Sequence, residues 1–341
     1  MTSVALLGID IGKHTFYLHG QDQHGHQVLR KKYSRRQLID VLANTPVCTV
    51  VMESCAGAHW LARKLAESGH QVKLIAPQYV KPFLKGNKND YNDAEAICEA
   101  AARPSMRFVA VKTPEQQTLS ALHRLRESLI AHRTAAINQV HGFLLEFGVS
   151  LPIGMASIQR LPALLDDPVH ALPPRLVQVL LRLHARIKGL SAEIKDIEAE
   201  LARQLQDDDA GRRLLSIPGI GPISASALAA EAGDASQFKC GRDFAASLGL
   251  VPRQYSTGGK QTLLGISKRG DKHLRRLLVQ GARAVMQRAD RRDDALGAWL
   301  RGLLGRRHSN VVACALANKL ARIVWAVLAK GGQYQPHPHA V

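Results

Sequence analysis

The spacing of apolar and polar positions changes period along the chain, and the changes divide it into three stretches. In the first, short apolar runs alternate with turn residues. Residues 4–10 (VALLGID) form a run that ends in an acid, a second strand-like segment spans Thr15–His19, and a turn rich in Gly, Asp and His leads to a third near Val28. This pattern predicts an antiparallel three-strand meander. Two further strand candidates, Cys48–Met52 and Gln71–Ile75, bracket a helical segment from His59 to Ser68. Strands alternating with helices predict an α/β fold with a mixed sheet. An alanine-rich helix opens at Asn92, and Phe108–Val111 is a candidate edge strand.

The second stretch has a helical period. Thr113 reads as an N-cap, with Pro114 in the first turn and Gln116 placed to complete a capping box, and the helix that follows runs to about Phe147. Another long helix follows Pro174, with apolar residues at Leu176, Leu180, Leu183, Ile187, Leu190, Ile194, Ile197 and Leu201. Alternating steps of four and three predict a coiled-coil seam, made with the preceding helix or with another subunit. One face of an ordinary bundle is the alternative. After the acidic DDDAG at 207–211 the chain becomes Gly-punctuated and basic, with a mainly α-helical pattern. The expected organisation is a domain at 1–112, long helices at 113–210, a C-terminal domain at 211–330 and a flexible tail at 331–341.

Charge narrows the range of partners. Of 341 residues, 46 are Lys or Arg and 28 are Asp or Glu, a net charge of +18. Such a surface attracts polyanions, and nucleic acid is the commonest, because neutralising phosphates releases condensed counterions. An anionic membrane is the rival, but no apolar run is expected to reach the roughly 20 residues that span a bilayer. The N-terminus carries Asp10 just after its apolar run and no basic region before it, so no secretory signal is expected and the location is cytoplasmic. Five scattered cysteines without a CxxC pair read as reduced thiols, and no zinc site is expected.

Against that positive background four acids stand out. Asp10 ends the first strand in GIDIGKH, between the small Gly8 and Gly12. Glu53 closes another apolar strand in VVMES. Asp90 and Asp93 lie three apart in NDYNDAE at a helix start, so a helical turn points both at one place. Taken singly, each is as easily a turn or surface acid, or one favoured by a helix dipole. Together they bring four carboxylates from three segments to one side of a sheet. Oxygen-only ligands suit Mg2+ or Mn2+, and two ions about 4 Å apart can activate a nucleophile and stabilise a leaving oxygen at a phosphodiester.

Further along, LLSIPGIGPISASALAAE places Gly219 and Gly221 between two helical patterns. The turn either presents backbone N–H groups to phosphate or serves tight helix packing. Residues 255–260 (YSTGGK) set two hydroxyls beside two glycines, flanked by Arg253 and Lys260, as an exposed loop or simply a glycine turn. Asp271 caps a helix on which Lys272, Arg275, Arg276 and Arg283 share one arc, opposite Leu274, Leu277, Leu278 and Val285. Lys268 and Arg269 extend that basic patch in the preceding loop.

GIDIGK, MESCAGAHW and KNDYNDAEA resemble the N-terminal domain of the DEDD transposases of bacterial insertion sequences, the IS110 family, and the resemblance covers essentially the whole chain. It implies a RuvC-like (RNase H-like) N-terminal domain, with the family's four acids at Asp10, Glu53, Asp90 and Asp93. It also implies that a serine of the C-terminal loop joins the acids in a composite site and becomes covalently linked to DNA. Serine commonly precedes glycine directly in this family. Here Thr257 holds that place, and the STGGK form resembles a subgroup with a slightly shorter loop, so Ser256 is the expected nucleophile and Thr257 the alternative. The resemblance further implies cutting and rejoining of element ends and target DNA, and guidance by a structured RNA of the element. Recombination needs at least two active sites and the heptad seam offers a means of association, so a homo-oligomer, dimer or tetramer, is expected. A RuvC-like structure-specific endonuclease and a pilin-gene invertase are the alternative activities.

Overall fold

The computed structural model describes residues 3–86, 89–233 and 235–336. Residues 337–341 of the expected flexible tail lie outside that range. The chain divides into two compact units, Met1–Gln116 and Gln117–Val341, so the long helices fall in one unit with the C-terminal region.

The first unit is built on β1 (Leu6–Ile11), β2 (Thr15–Gln21) and β3 (Gln27–Ser34), the expected meander. After α1 (Arg35–Ala43), β4 (Thr49–Glu53), α2 (Ala58–Glu67) and β5 (Gln71–Ile75) follow. A short α3 (Pro77–Val80), α4 (Asp90–Ala101) and the two-residue edge strand β6 (Phe108–Val109) complete the unit. The six strands lie in the order β3-β2-β1-β4-β5-β6. β1 pairs parallel with β4 and β4 with β5, while β2, β3 and β6 run antiparallel to their neighbours. Alternation along β1 and β4 assigns the two faces. Leu7, Ile9, Val50 and Met52 pack with Leu38 of α1 and Leu61 and Leu65 of α2, whereas Val51 packs with Ile97 and Ala100 of α4 on the other face.

Gly8 sets how closely α4 approaches. A Cβ there would run into the Ala94 carbonyl and stand 2.8 Å from Cys98 Sγ, so only glycine lets this helix press onto β1. Asn89 caps α4, its side chain accepting from the Tyr91 N–H at 3.0 Å. That cap starts the helix two residues before Asn92 and puts Asp90 and Asp93 in its first turn.

At the end of the first unit the expected capping box is formed: Gln116 N–H donates to Thr113 Oγ1 at 3.2 Å and Thr113 N–H donates to Gln116 Oε1 at 3.0 Å. It opens α5 (Pro114–Leu145). Two short helices, α6 (Met155–Gln159) and α7 (Leu161–Leu165), lead to α8 (Pro174–Asp207). The heptad residues of α8 are met within the chain. Leu180 and Ile187 cluster with Ala136, Val140 and Leu144, and Ile194, Ile197 and Leu201 cluster with Leu129, all from α5. Of the two partners the period allows, the preceding helix is in contact along the seam.

Next come α9 (Asp209–Leu214), α10 (Pro222–Ala232) and α11 (Gly241–Ser247). β7 (Pro252–Thr257) and β8 (Lys260–Ile266) form a separate antiparallel hairpin. α12 (Lys272–Met286), α13 (Ala295–Leu304) and α14 (Ser309–Lys330) close the unit. Contrary to the sequence expectation, α14 is long and apolar enough by composition to cross a bilayer. Its Val312, Leu316, Leu320, Val324 and Val327 are buried in the core that also holds Leu228, Phe244 and Leu278.

Candidate active site

Parallel pairing brings the first two acids together. Ile9 stands opposite Met52, so the next residue on each strand is an acid, Asp10 on β1 and Glu53 at the end of β4. Asp10 shares a face with Gly8, and Glu53 with Val51, so both turn toward the side on which α4 packs. The first turn of α4 supplies the others. Carboxylate oxygens of Asp10, Asp90 and Asp93 lie within 4.8 Å of one another.

Like charges this close oppose one another's ionisation. Burial, and then Asp93, Asp90 and Glu53, push the Asp10 carboxyl up from 3.8 to about 6, with only a backbone hydrogen bond at Ile11 acting the other way. Burial and Asp93 also raise Glu53. An all-oxygen set whose ionised form is held down by its own members is suited to a hard divalent cation, which would offset the repulsion. The residues present therefore fit a divalent metal.

The segment read as a loop around Ser256 is the tip of the β7–β8 hairpin. Ser256 pairs with Gln261 and Thr257 with Lys260 across a two-residue turn, in which Gly258 and Gly259 take φ of 54° and 77°. Positive φ at both positions suits a tight primed turn and explains the glycine pair. Both hydroxyl residues are exposed, and Ser256 Oγ accepts from Gln254 Nε2 at 2.7 Å.

Comparison with known proteins bears on the whole chain. Residues 7–148 match the transposase model of the DEDD IS110 type, and residues 211–297 match the model described as "Transposase IS116/IS110/IS902 family". The transposase for insertion sequence element IS1328 of Yersinia enterocolitica is 58% identical over 97% of this chain and 98% of its own length. The chain belongs to the IS110/IS116/IS902 transposase family. A probable family 20 transposase of Pseudomonas aeruginosa is 50% identical, over 98% of this chain and 99% of its own. The transposase for IS1111A of Coxiella burnetii is 42% identical, over 98% and 92%. The mixed six-stranded sheet is accordingly a RuvC-like DEDD domain, followed by a helical C-terminal region, and family membership brings with it DNA cleavage and rejoining in general terms.

The transposase's basic residues differ in how far they are committed to its own fold. Arg275 donates to the carbonyls of Leu248 at 2.8 Å and Arg269 at 3.4 Å, so it ties the chain before α12 to the end of α11. Arg276 pairs with Glu127 of α5, an acid that the period of α12 alone could not reveal, and Arg283 donates to Asn310 Oδ1 at 3.1 Å. Lys272 is exposed at the start of α12, which Asp271 caps as expected. Arg253 stacks on Tyr255, its guanidinium 4.9 Å from the ring centroid. Lys260, Lys268 and Arg269 are exposed. Gly219 is occupied by packing: its φ is +82°, and a Cβ would stand 2.6 Å from the Gly281 carbonyl of α12. Gly221, at the start of α10, is open.

Sequence reasoning missed Tyr17. It stands opposite Asp10 in the β1–β2 register and hydrogen-bonds Asp90, and its ring meets Tyr91 edge-on at 4.8 Å. Only strand pairing reveals it, since nothing in TFYLHG marks that tyrosine from its neighbours.

Proposed function

We propose that this transposase cuts and rejoins DNA through a covalent phosphoserine, with Asp10, Glu53, Asp90 and Asp93 holding Mg2+ or Mn2+. The convergence of Asp10, Asp90 and Asp93 within 4.8 Å, with Glu53 electrostatically coupled to them, is the observation that carries this reading. Bound there, the metal would stabilise charge developing on the phosphodiester oxygens.

The chain's own groups supply the remaining chemistry. The Ser256 hydroxyl, with Thr257 as the alternative, attacks phosphorus. An Oγ–P bond forms as the P–O bond to the departing deoxyribose breaks, and the serine proton passes to the leaving oxygen. Attack by another strand's hydroxyl reverses these steps and restores serine, so rejoining needs no nucleoside triphosphate. Tyr17 positions the Asp90 carboxyl by hydrogen bonding. Lys272, Lys260, Lys268, Arg269 and Arg253, with Arg276 and Arg283, meet the nucleic-acid backbone, and Gly221 offers a further point of close approach. Arg275 and Gly219 act through the local fold that carries these contacts. We also propose a homo-oligomer acting in the cytoplasm, since exchange between two DNA partners needs two sites, and guidance by a structured RNA of the element.

Trapping on a denaturing gel tests the serine step. Radiolabelled element-end DNA incubated with Mg2+ should give a protein–DNA adduct that is lost in Ser256→Ala and retained in Thr257→Ala. Cleavage with no adduct in any form of the protein would replace serine by water and make the enzyme a metal-dependent endonuclease.

A further inference from the structure

A cleft of about 1470 Å³ opens in the second unit, between the feet of the β7–β8 hairpin, α11, α13 and α14. Cationic side chains reach it from three separate places: Arg242 from α11, Arg253 and Lys268 from the hairpin and its exit, and Lys319 and Arg322 from α14. Among the described residues, no Asp or Glu lines it. Five like charges gathered around one concavity repel one another, and on a chain with 28 acids the absence of any counter-charge there implies an anionic occupant.

The floor has a different chemistry. Leu250, Ile266 and Ile323 line it together with Trp299, over whose ring the Lys319 ammonium sits 4.8 Å from the centroid. Trp325 borders it too, oriented by its indole N–H donating to the Phe238 carbonyl at 3.1 Å. Val311, 56% exposed, and Leu264, 49% exposed, also line it, so part of its apolar surface reaches solvent.

An apolar, aromatic floor under a cationic rim is complementary to a nucleotide, with its flat base and its anionic phosphate. Duplex DNA offers only phosphates to such a cleft, because its bases are stacked and paired. An unpaired strand offers both parts at once. The volume exceeds the roughly 300–1,000 Å³ of pockets that hold a single drug-sized ligand, enough for more than one nucleotide.

We propose that this cleft binds an unpaired segment of a polynucleotide, its phosphates on Arg242, Arg253, Lys268, Lys319 and Arg322 and its bases against the Trp299 floor. This rests on the reading that the second unit acts on nucleic acid, and it adds where a single strand is held. Of the five cations, Arg242 on α11 and the pair Lys319 and Arg322 on α14 carry no mark in the sequence, because only the fold brings the two helices together.

The test is equilibrium binding of the full-length protein in EDTA, so that it is independent of the metal and of cleavage. Fluorescein-labelled 12-mers of oligo-dT and oligo-U and a 12-base-pair duplex serve as probes, read by anisotropy and by tryptophan quenching. Lys319→Glu/Arg322→Glu should weaken single-strand binding at least tenfold and reduce the slope of log K against log salt by about 1.4, two phosphate contacts at roughly 0.7 each. Duplex binding should change less than twofold. Arg242→Glu, on a separate helix, should weaken the single strand in the same sense, and Arg182→Glu, exposed on α8, should not. Thermal melts confirm that each variant is folded. A preference between oligo-dT and oligo-U identifies the strand as DNA or RNA. Unchanged single-strand binding in the folded double variant, or an equal loss with the duplex or with Arg182→Glu, overturns the proposal. Retained cleavage in Asp10→Asn would overturn the catalytic reading and leave this one standing.

Discussion

Replacing Asp10 by Asn removes one charge from the carboxylate group while keeping its size, and the structure fixes the sign of the result. The folded carboxyl titrates at about 6 against an ordinary 3.8, through burial first and then its acidic neighbours. That difference corresponds to about 3 kcal/mol borne by the ionised form. Asp10 is only partly buried, so solvent and salt screen part of it and leave roughly 1–2 kcal/mol. The folded state holds this proton more tightly than the unfolded chain. The stability it contributes is present at low pH and lost as pH rises from about 4 through about 6. In EDTA at pH 8, Asp10→Asn should therefore melt higher than the unchanged protein, by roughly 4 °C per kcal/mol regained. Adding Mg2+ should reverse the order. At a hundredfold excess over Kd the unchanged protein gains about 2.7 kcal/mol, and the variant, lacking a ligand, gains little. Differential scanning calorimetry at pH 5 and pH 8, with and without Mg2+, reads all four values. A variant less stable than its parent in EDTA, or stabilised equally by Mg2+, refutes the reasoning.

Burial and the neighbouring His273 hold His123 at about 4, so its contribution to stability has the opposite sign. It is present above 6.5 and lost as pH falls toward 4, by up to about 3 kcal/mol, and urea melts of His123→Gln should show a flatter pH profile. Gly219→Ala adds a Cβ 2.6 Å from the Gly281 carbonyl at a positive φ and should cost about 2–4 kcal/mol in the same assay. Ile187→Ala should lower stability by about 2–4 kcal/mol without changing the mass measured by light scattering, because its seam is closed within the chain. Arg275→Ala should lower the melting temperature, whereas Lys272→Ala should leave it unchanged and reduce the salt slope of duplex binding by about 1.

The acids were legible because each has a local signature that survives without tertiary information. Asp10 and Glu53 end apolar strands, and Asp90 and Asp93 keep a helical spacing behind the Asn89 cap. What placed them together was Gly8, whose missing side chain could be noted in sequence although the helix it admits could not. Long-range partners were hidden. The period of α12 puts Arg275 and Arg276 on one polar arc, yet the Leu248 carbonyl just after α11 takes the first and Glu127 of α5 takes the second. Likewise the 3.5-residue period of α8 identifies a seam without naming what fills it. The hairpin around Ser256 escaped because every residue of β7 is exposed, so no alternation of apolar and polar positions marks it as a strand.

Anomalous scattering from crystals grown with Mn2+ and element-end DNA addresses the central claim most directly. The account predicts manganese peaks ligated by carboxylate oxygens of Asp10, Asp90 and Asp93, with Glu53 contributing, and their loss in Asp10→Asn. Manganese bound elsewhere, or an Asp10→Asn protein that cleaves DNA at the unchanged rate, would contradict it.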